Sequence, residues 1–271
     1  MKHILTVLSL LFITSLTFAQ SPNYDDLKIL YADANYEKLV KVAEKYTLSD
    51  KTKKEGAPYI WMSKGLYKIS LSGTDNPDYK NAYKDGIKYL AKGMKNDLRY
   101  NDGAVVAEEK EFIDKLQLSL FETIENEISS GNFKKGYGWA INYQKITTNE
   151  AGIKYMMGAC KHEDQDKPTA RTLWQEGQKL MDAITSLDDW SEADRKMLKS
   201  GLLYSAAAMK KSRQIDQAKA LLGKAAPQLN VFQLGFAVKI FIGLSLLGVV
   251  VLALPSQTEA LLNKFLEMMG A

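Results

Sequence analysis

Cys160-Lys161-His162, followed by Glu163, Asp164 and Asp166, groups several side chains able to hold a metal. Thiolate and imidazole are zinc ligands, whereas carboxylates suit harder ions. A zinc set needs more such groups, and the chain offers a single cysteine and two histidines, one of them His3 at the extreme N-terminus. Neither the zinc spacing nor a calcium-loop pattern is met, so the segment reads as a solvated acidic loop and no metal is expected. A serine-hydrolase elbow, a Walker phosphate loop and a dinucleotide Gly-x-Gly-x-x-Gly are also missing; Gly136-Tyr-Gly138 is a lone pair on a helical stretch. Without His3, which lies in a removable leader, the commonest general base has one poor candidate, His162. Carboxylate neighbours Glu108-Glu109 and Asp188-Asp189 read as solvated helix faces and caps. Trp139, Trp174 and Trp190 would suit a sugar or peptide groove, but aromatics at helical spacing are more often core. The expectation is a non-enzymatic protein with no catalytic, cofactor-binding or metal residue.

The elements that would position any site begin after an N-terminal leader. Lys2, an apolar stretch from Ile4 to about Leu16, and small residues at Thr17 and Ala19 form a signal peptide, 1–19, cut after Ala19. The alternatives are an anchor or a buried first helix, but the apolar stretch falls short of the roughly 20 residues that cross a bilayer. Export places the chain in an oxidising compartment, yet Cys160 is the only cysteine, so stability must come from packing rather than a disulfide framework. A net charge of +4 over 271 residues, with lysines interspersed among acids, reads as solvated surface and gives no nucleic-acid footprint. Composition is that of a globular protein, 46% hydrophobic and 25% charged.

From Ser21 to about Gln228 the periodicity is helical, and only six prolines occur in the chain. Turn-forming clusters divide this part at residues 33–35, 47–50, 72–77, 101–103, 129–132, 147–149, 162–168 and 186–189. Ser191-Glu-Ala-Asp194 starts a helix, the serine placed to cap it and an acid following three residues later. One pattern recurs after several turns: a bulky apolar residue, then apolar or small residues three, seven and ten places on. It is carried by Tyr36, Leu39 and Ala43; by Tyr83, Gly86, Leu90 and Gly93; by Phe133, Gly136 and Ala140; and by Ile215, Ala218, Leu222 and Ala225. That spacing lines one helix face, with small residues where a neighbouring helix crosses closely.

The pattern resembles the second helix of tetratricopeptide repeats, and Trp61 with Gly65 is similar to the first-helix signature. Lys64 stands where that family expects leucine, and the copies lie about 50 residues apart or farther rather than 34. The resemblance implies an all-α, tetratricopeptide-like helical-repeat solenoid, or an array of antiparallel helix pairs, over residues 20–228; a plain helical bundle is the alternative. The leader ending Thr-Phe-Ala-Gln, with Tyr36-Glu-Lys-Leu, Gly65-Leu-Tyr-Lys and Thr185-Ser-Leu-Asp-Asp-Trp-Ser191, also resembles tetratricopeptide-like envelope proteins of Bacteroidetes.

The C-terminus differs in character. From Val231 to Leu254 Lys239 is the one formal charge, enough apolar length for a ~30 Å hydrocarbon core, so 229–255 is expected to be a transmembrane helix; a buried solenoid helix is the alternative. Residues 256–271 form a short amphipathic segment with Leu261, Leu262, Phe265, Leu266 and Met269 on its apolar side. Pro227, Gln228, Asn230, Phe232, Gly235 and Lys239 resemble the C-terminal portion of FliR-type membrane proteins of the flagellar and type III export gate, over residues ~220–271, and nothing before residue 220 resembles them. Two sequence types therefore meet near residues 218–227.

The leading expectation is a non-enzymatic scaffold on the periplasmic face of the cytoplasmic membrane, holding a protein or peptide partner and tethered by one span. Without insertion of the C-terminal helix the chain would be secreted or periplasmic. The alternative is a membrane component of protein export acting through the tail.

Overall fold

The computed structural model describes residues 23–225. The expected signal peptide at 1–19, the expected span at 229–255, the expected amphipathic segment 256–271, and Pro227, Gln228, Asn230, Phe232, Gly235 and Lys239 lie outside the described residues. The described chain is all α, with no strand and with antiparallel helix packing. No helix among the described residues is long and apolar enough to cross a membrane.

Two compact units divide the chain at Lys110 and Glu111. The first unit contains α1 (Asp25–Ala32), α2 (Tyr36–Leu48), α3 (Ala57–Ser72), a 3-10 turn (Pro77–Tyr79), α4 (Ala82–Tyr100) and the short α5 (Ala104–Glu108). Helix α3 packs against both α2 and α4, which explains its lack of a polar stripe: every residue from Pro58 to Tyr67 is buried. Its neighbours come close because small residues stand at the crossings. A Cβ on Gly65 would sit 2.8 Å from Val40 Cγ2, and one on Gly93 of α4 would sit 2.8 Å from Ile60 Cγ1 and 3.1 Å from the Gly56 carbonyl oxygen. Tyr24, Leu27, Leu39, Val40, Trp61 and Leu66 belong to the core.

The second unit contains α6 (Lys110–Ser129), α7 (Phe133–Gln144), α8 (Glu150–Glu163), α9 (Lys167–Asp182), α10 (Glu192–Lys211) and α11 (Ile215–Ala225). Helix α8 is the hub, in contact with α7, α9 and α10, and α10 packs in turn on α11. At the α8–α10 crossing the backbones touch. A Cβ on Gly152 would meet Leu198 Cα at 2.6 Å, and one on Gly201 would collide with the Gly152 carbonyl oxygen.

Four helix-to-helix connections share one geometry, linking α1 to α2, α6 to α7, α8 to α9, and α10 to α11. In each, three residues leave the helix and the middle one has positive φ: Ala34 (54°), Gly131 (77°), Gln165 (67°) and Arg213 (62°). The amide after it bonds back over five residues, as Asn35 N–H to Leu30 O (2.9 Å), Asn132 to Glu127 (2.8 Å), Asp166 to Lys161 (2.9 Å) and Gln214 to Met209 (2.9 Å). This is the Schellman closure, which satisfies carbonyls that a helix end leaves free. The α3–α4 connection instead runs through Asn76, whose side chain accepts from Asp78 N–H (3.1 Å), and the 3-10 turn.

Candidate functional site

The residues of the recurring pattern occupy the helix faces of these pairs. Leu39, Ala43, Trp61, Gly65, Gly86, Leu90, Gly93, Gly136, Ala140, Ala218 and Leu222 are buried, Tyr36, Tyr83 and Phe133 are half-buried, and Ile215 is on the surface; Ala225 closes α11. The buried ones are taken up by packing, whereas Ile215, expected to pack, is exposed at the start of α11, so a binding site must be sought around them.

The first unit contains a cavity of about 310 Å³ bounded by α2, α3, the 3-10 turn and α4. Its lining combines Val40, Met62 and Leu66 with Tyr79 and Tyr89, and carries Glu44, Asp78 and Asp85 against a single lysine, Lys41. Local structure accounts for each position. Asp78 and Asp85 lie in the first turns of the 3-10 element and α4, where the helix dipole favours an acid. Tyr79 is held in the wall with its hydroxyl donating to the Glu37 carbonyl oxygen at 3.4 Å, and Asn76 Nδ2 donates to Glu37 Oε2 at 3.2 Å. Burial first, then nearby carboxylates, push both phenols above the usual tyrosine range: Glu37, Asp78 and Glu44 act on Tyr79, and Glu44 and Asp85 on Tyr89.

Elsewhere the same unit buries a lysine. Lys64 Nζ bonds Glu109 Oε2 at 2.8 Å and lies 3.7 Å from the Trp61 ring centre and 4.9 Å from that of Tyr31. The expectation that the lysines and the Glu108-Glu109 pair are solvated is corrected for Lys64 and Glu109, whereas Glu108 is exposed. Glu109 and Lys64 are both largely shielded, because Lys64 lies in the buried stretch of α3 and its ammonium needs both a carboxylate and aromatic faces.

The second unit centres its polar contacts on Asp194, which is 3% exposed. Ser191 Oγ accepts the Asp194 N–H at 3.1 Å, the cap expected from the sequence. The acid does not complete a reciprocal capping box; its carboxylate accepts from Tyr143 Oη and Thr147 Oγ1, each at 2.7 Å, and from Asn149 Nδ2 at 2.9 Å. Three neutral donors from α7 and the α7–α8 connection thus fix the start of α10. Ser205 Oγ of α10 adds a buried bond to the Tyr155 carbonyl oxygen of α8 at 2.9 Å.

Cys160 and His162 are not in a solvated loop: both are buried on α8, whose apolar stretch continues past the polar letters that looked like its end. Burial pushes the Cys160 thiol up to about 12, which suppresses thiolate chemistry. His162 Nε2 meets Ser212 Oγ at 2.7 Å and its ring stacks on Trp174, while burial holds its basicity below that of a free histidine. Among the described residues no three His, Cys, Asp or Glu side chains converge as a metal site would require. Trp174 is therefore a packing partner of α8 rather than part of an open groove.

Residues 175–265 match the family model of bacterial export proteins, family 1. The match covers about a third of the chain. It begins at Gln175, inside α9, and runs through α10 and α11 before leaving the described residues. The expectation that no such similarity precedes residue 220 is thereby corrected. That boundary was drawn where polarity changes, but apart from the buried Asp194 the charges of α9–α11 lie mostly outward while Met181, Leu198, Leu202, Ala206 and Leu222 are buried. No curated protein and no solved structure matches the chain.

Proposed function

We propose that the protein is a non-enzymatic, membrane-tethered component of bacterial protein export. In this reading its helix pairs form a tetratricopeptide-like docking scaffold on the periplasmic side, and its C-terminal segment joins the membrane part of an export apparatus. The observation that carries this is the family match over residues 175–265, which includes the apolar stretch 229–255. Support for the solenoid-like arrangement comes from four repeated inter-helix turns and from α8 packing on both its own pair partner α9 and the first helix of the next pair, α10.

A second reading, a tethered interaction scaffold unconnected with export, is favoured by the lined cavity of the first unit. Affinity isolation of the full chain from gently solubilised membranes separates the two. Recovery of export-gate membrane subunits, lost when residues 226–271 are removed, supports the export reading. Recovery of soluble partners alone, unchanged by that removal, contradicts it.

A further inference from the structure

We propose that the cavity between α2, α3 and α4 binds a peptide segment presenting a lysine or arginine beside an apolar side chain. The inference rests on the docking-scaffold reading and names the partner's chemistry. Apolar contact is available on the floor, where Val40, Met62 and Leu66 meet the cavity, and Tyr79 and Tyr89 supply aromatic walls. At the rim Glu44, Asp78 and Asp85 face one lysine, Lys41, so a cationic group gains and an anionic one is repelled. No ion pair within 4.0 Å takes up those three carboxylates among the described residues.

Burial first, and then carboxylates that include these three, raise both phenols, with Lys92 opposing the shift at Tyr89. The first unit also shows this chemistry already satisfied once: the Lys64 ammonium is held between aromatic rings and the Glu109 carboxylate. The cavity offers an incoming side chain the same two kinds of partner, with an apolar floor for its neighbour. Its volume is at the lower end for ligand sites, which fits one or two side chains of a peptide rather than a whole folded surface. Nucleic acid and anionic headgroups are disfavoured by the sign of the rim.

The test uses the full chain in detergent and a dye-labelled peptide with a Leu-Arg-Leu core, followed by fluorescence anisotropy. Saturable binding is expected, with Kd raised about tenfold or more in Glu44→Gln/Asp85→Asn and by Tyr89→Ala, a change of about 1.4 kcal/mol. A Leu-Glu-Leu counterpart should give no saturable signal, and Gly-Arg-Gly should bind more weakly. Equal binding of the Arg and Glu peptides, or an unchanged Kd in the correctly folded double variant, overturns the proposal. Absence of binding by any peptide while export subunits still copurify overturns the cavity assignment alone. Peptide binding without copurification supports the cavity and counts against the export reading.

Discussion

The two units differ in the partners they give buried polar groups, although each holds a carboxylate served by neutral donors, Asp97 in the first and Asp194 in the second. In the first, a full ion pair, Lys64 with Glu109, is shielded by Trp61 and Tyr31. In the second, the Asp194 carboxylate is served by the neutral donors Tyr143, Thr147 and Asn149, and the main helix crossing is made by backbone at Gly152 and Gly201. An ion pair between side chains can in principle be exchanged for apolar groups of similar shape, because its desolvation cost offsets much of its attraction. A carboxylate that gathers donors from separate elements, or a glycine that admits another backbone, has no such substitute. Both units hold such positions, the first at Asp97 and the Gly56–Gly93 approach and the second at Asp194 and the Gly152–Gly201 crossing, and the export-family match begins in the second.

The largest expected effect is at the backbone crossing. Gly201→Ala drives a Cβ into the Gly152 carbonyl, which cannot swing aside as a side chain would, and should lower stability by about 3 kcal/mol in a denaturant titration. Gly86→Ala is the control, since a Cβ there lies 3.5 Å or more from its neighbours and, inside a helix, should be neutral or stabilise by up to about 1 kcal/mol. Next in size is Asp194→Ala, which strands two hydroxyls and an amide and should cost about 2–3 kcal/mol. In the first unit Lys64→Leu alone leaves Glu109 unpaired and should cost about 2 kcal/mol, whereas Lys64→Leu/Glu109→Leu should recover most of it. Failure of the double change to recover, with Asp194→Ala tolerated, would reverse the contrast between the units.

A smaller effect is set by pH. Burial depresses His162 basicity in the fold, so the unfolded chain takes up the proton first as pH falls. Glu163 opposes that depression and Lys167 and Lys211 reinforce it. The His162 contribution is fully present above about pH 6.5, the unfolded value, and is lost as pH drops toward the lower folded value. Thermal melts at descending pH should therefore show a decline in the wild type that His162→Phe lacks. The smallest expected change is a gain: Gln165→Gly or Arg213→Gly relieves a positive-φ residue and should stabilise by about 0.5–1 kcal/mol in the same melts.

Much of the helix layout is legible in the sequence because the chain breaks where polar turn residues cluster. Asp33–Asn35, Asn101–Gly103 and Ser129–Asn132 all coincide with connections, and Ser191 caps α10 as its type and position imply. The fourfold Schellman turn is not legible, because only Gly131 carries the residue that advertises positive φ; Ala34, Gln165 and Arg213 adopt it under the pull of packing. The Lys64–Glu109 pair joins residues 45 apart, yet its signal was visible as a charged residue at a position where the repeat pattern wants leucine. The cavity draws on four elements, and Tyr79 and Tyr89 hold no recurring place in the pattern, so no local spacing marks it. Cys160 and His162 were misread because a short polar string looks like a loop until the buried run Tyr155–Ala159 before it is seen to continue on one helix.

The described helices extend through α11, although the family similarity starts at Gln175, and the proposed function places a membrane-held segment only after them. Limited proteolysis of the full chain in membrane vesicles, with the mass of the released fragment read directly, tests it. Release of a folded, helical fragment ending near Ala225, with the remainder resisting carbonate extraction, is the predicted result. A released fragment ending near Gln175, or release of the intact chain by carbonate, would contradict it.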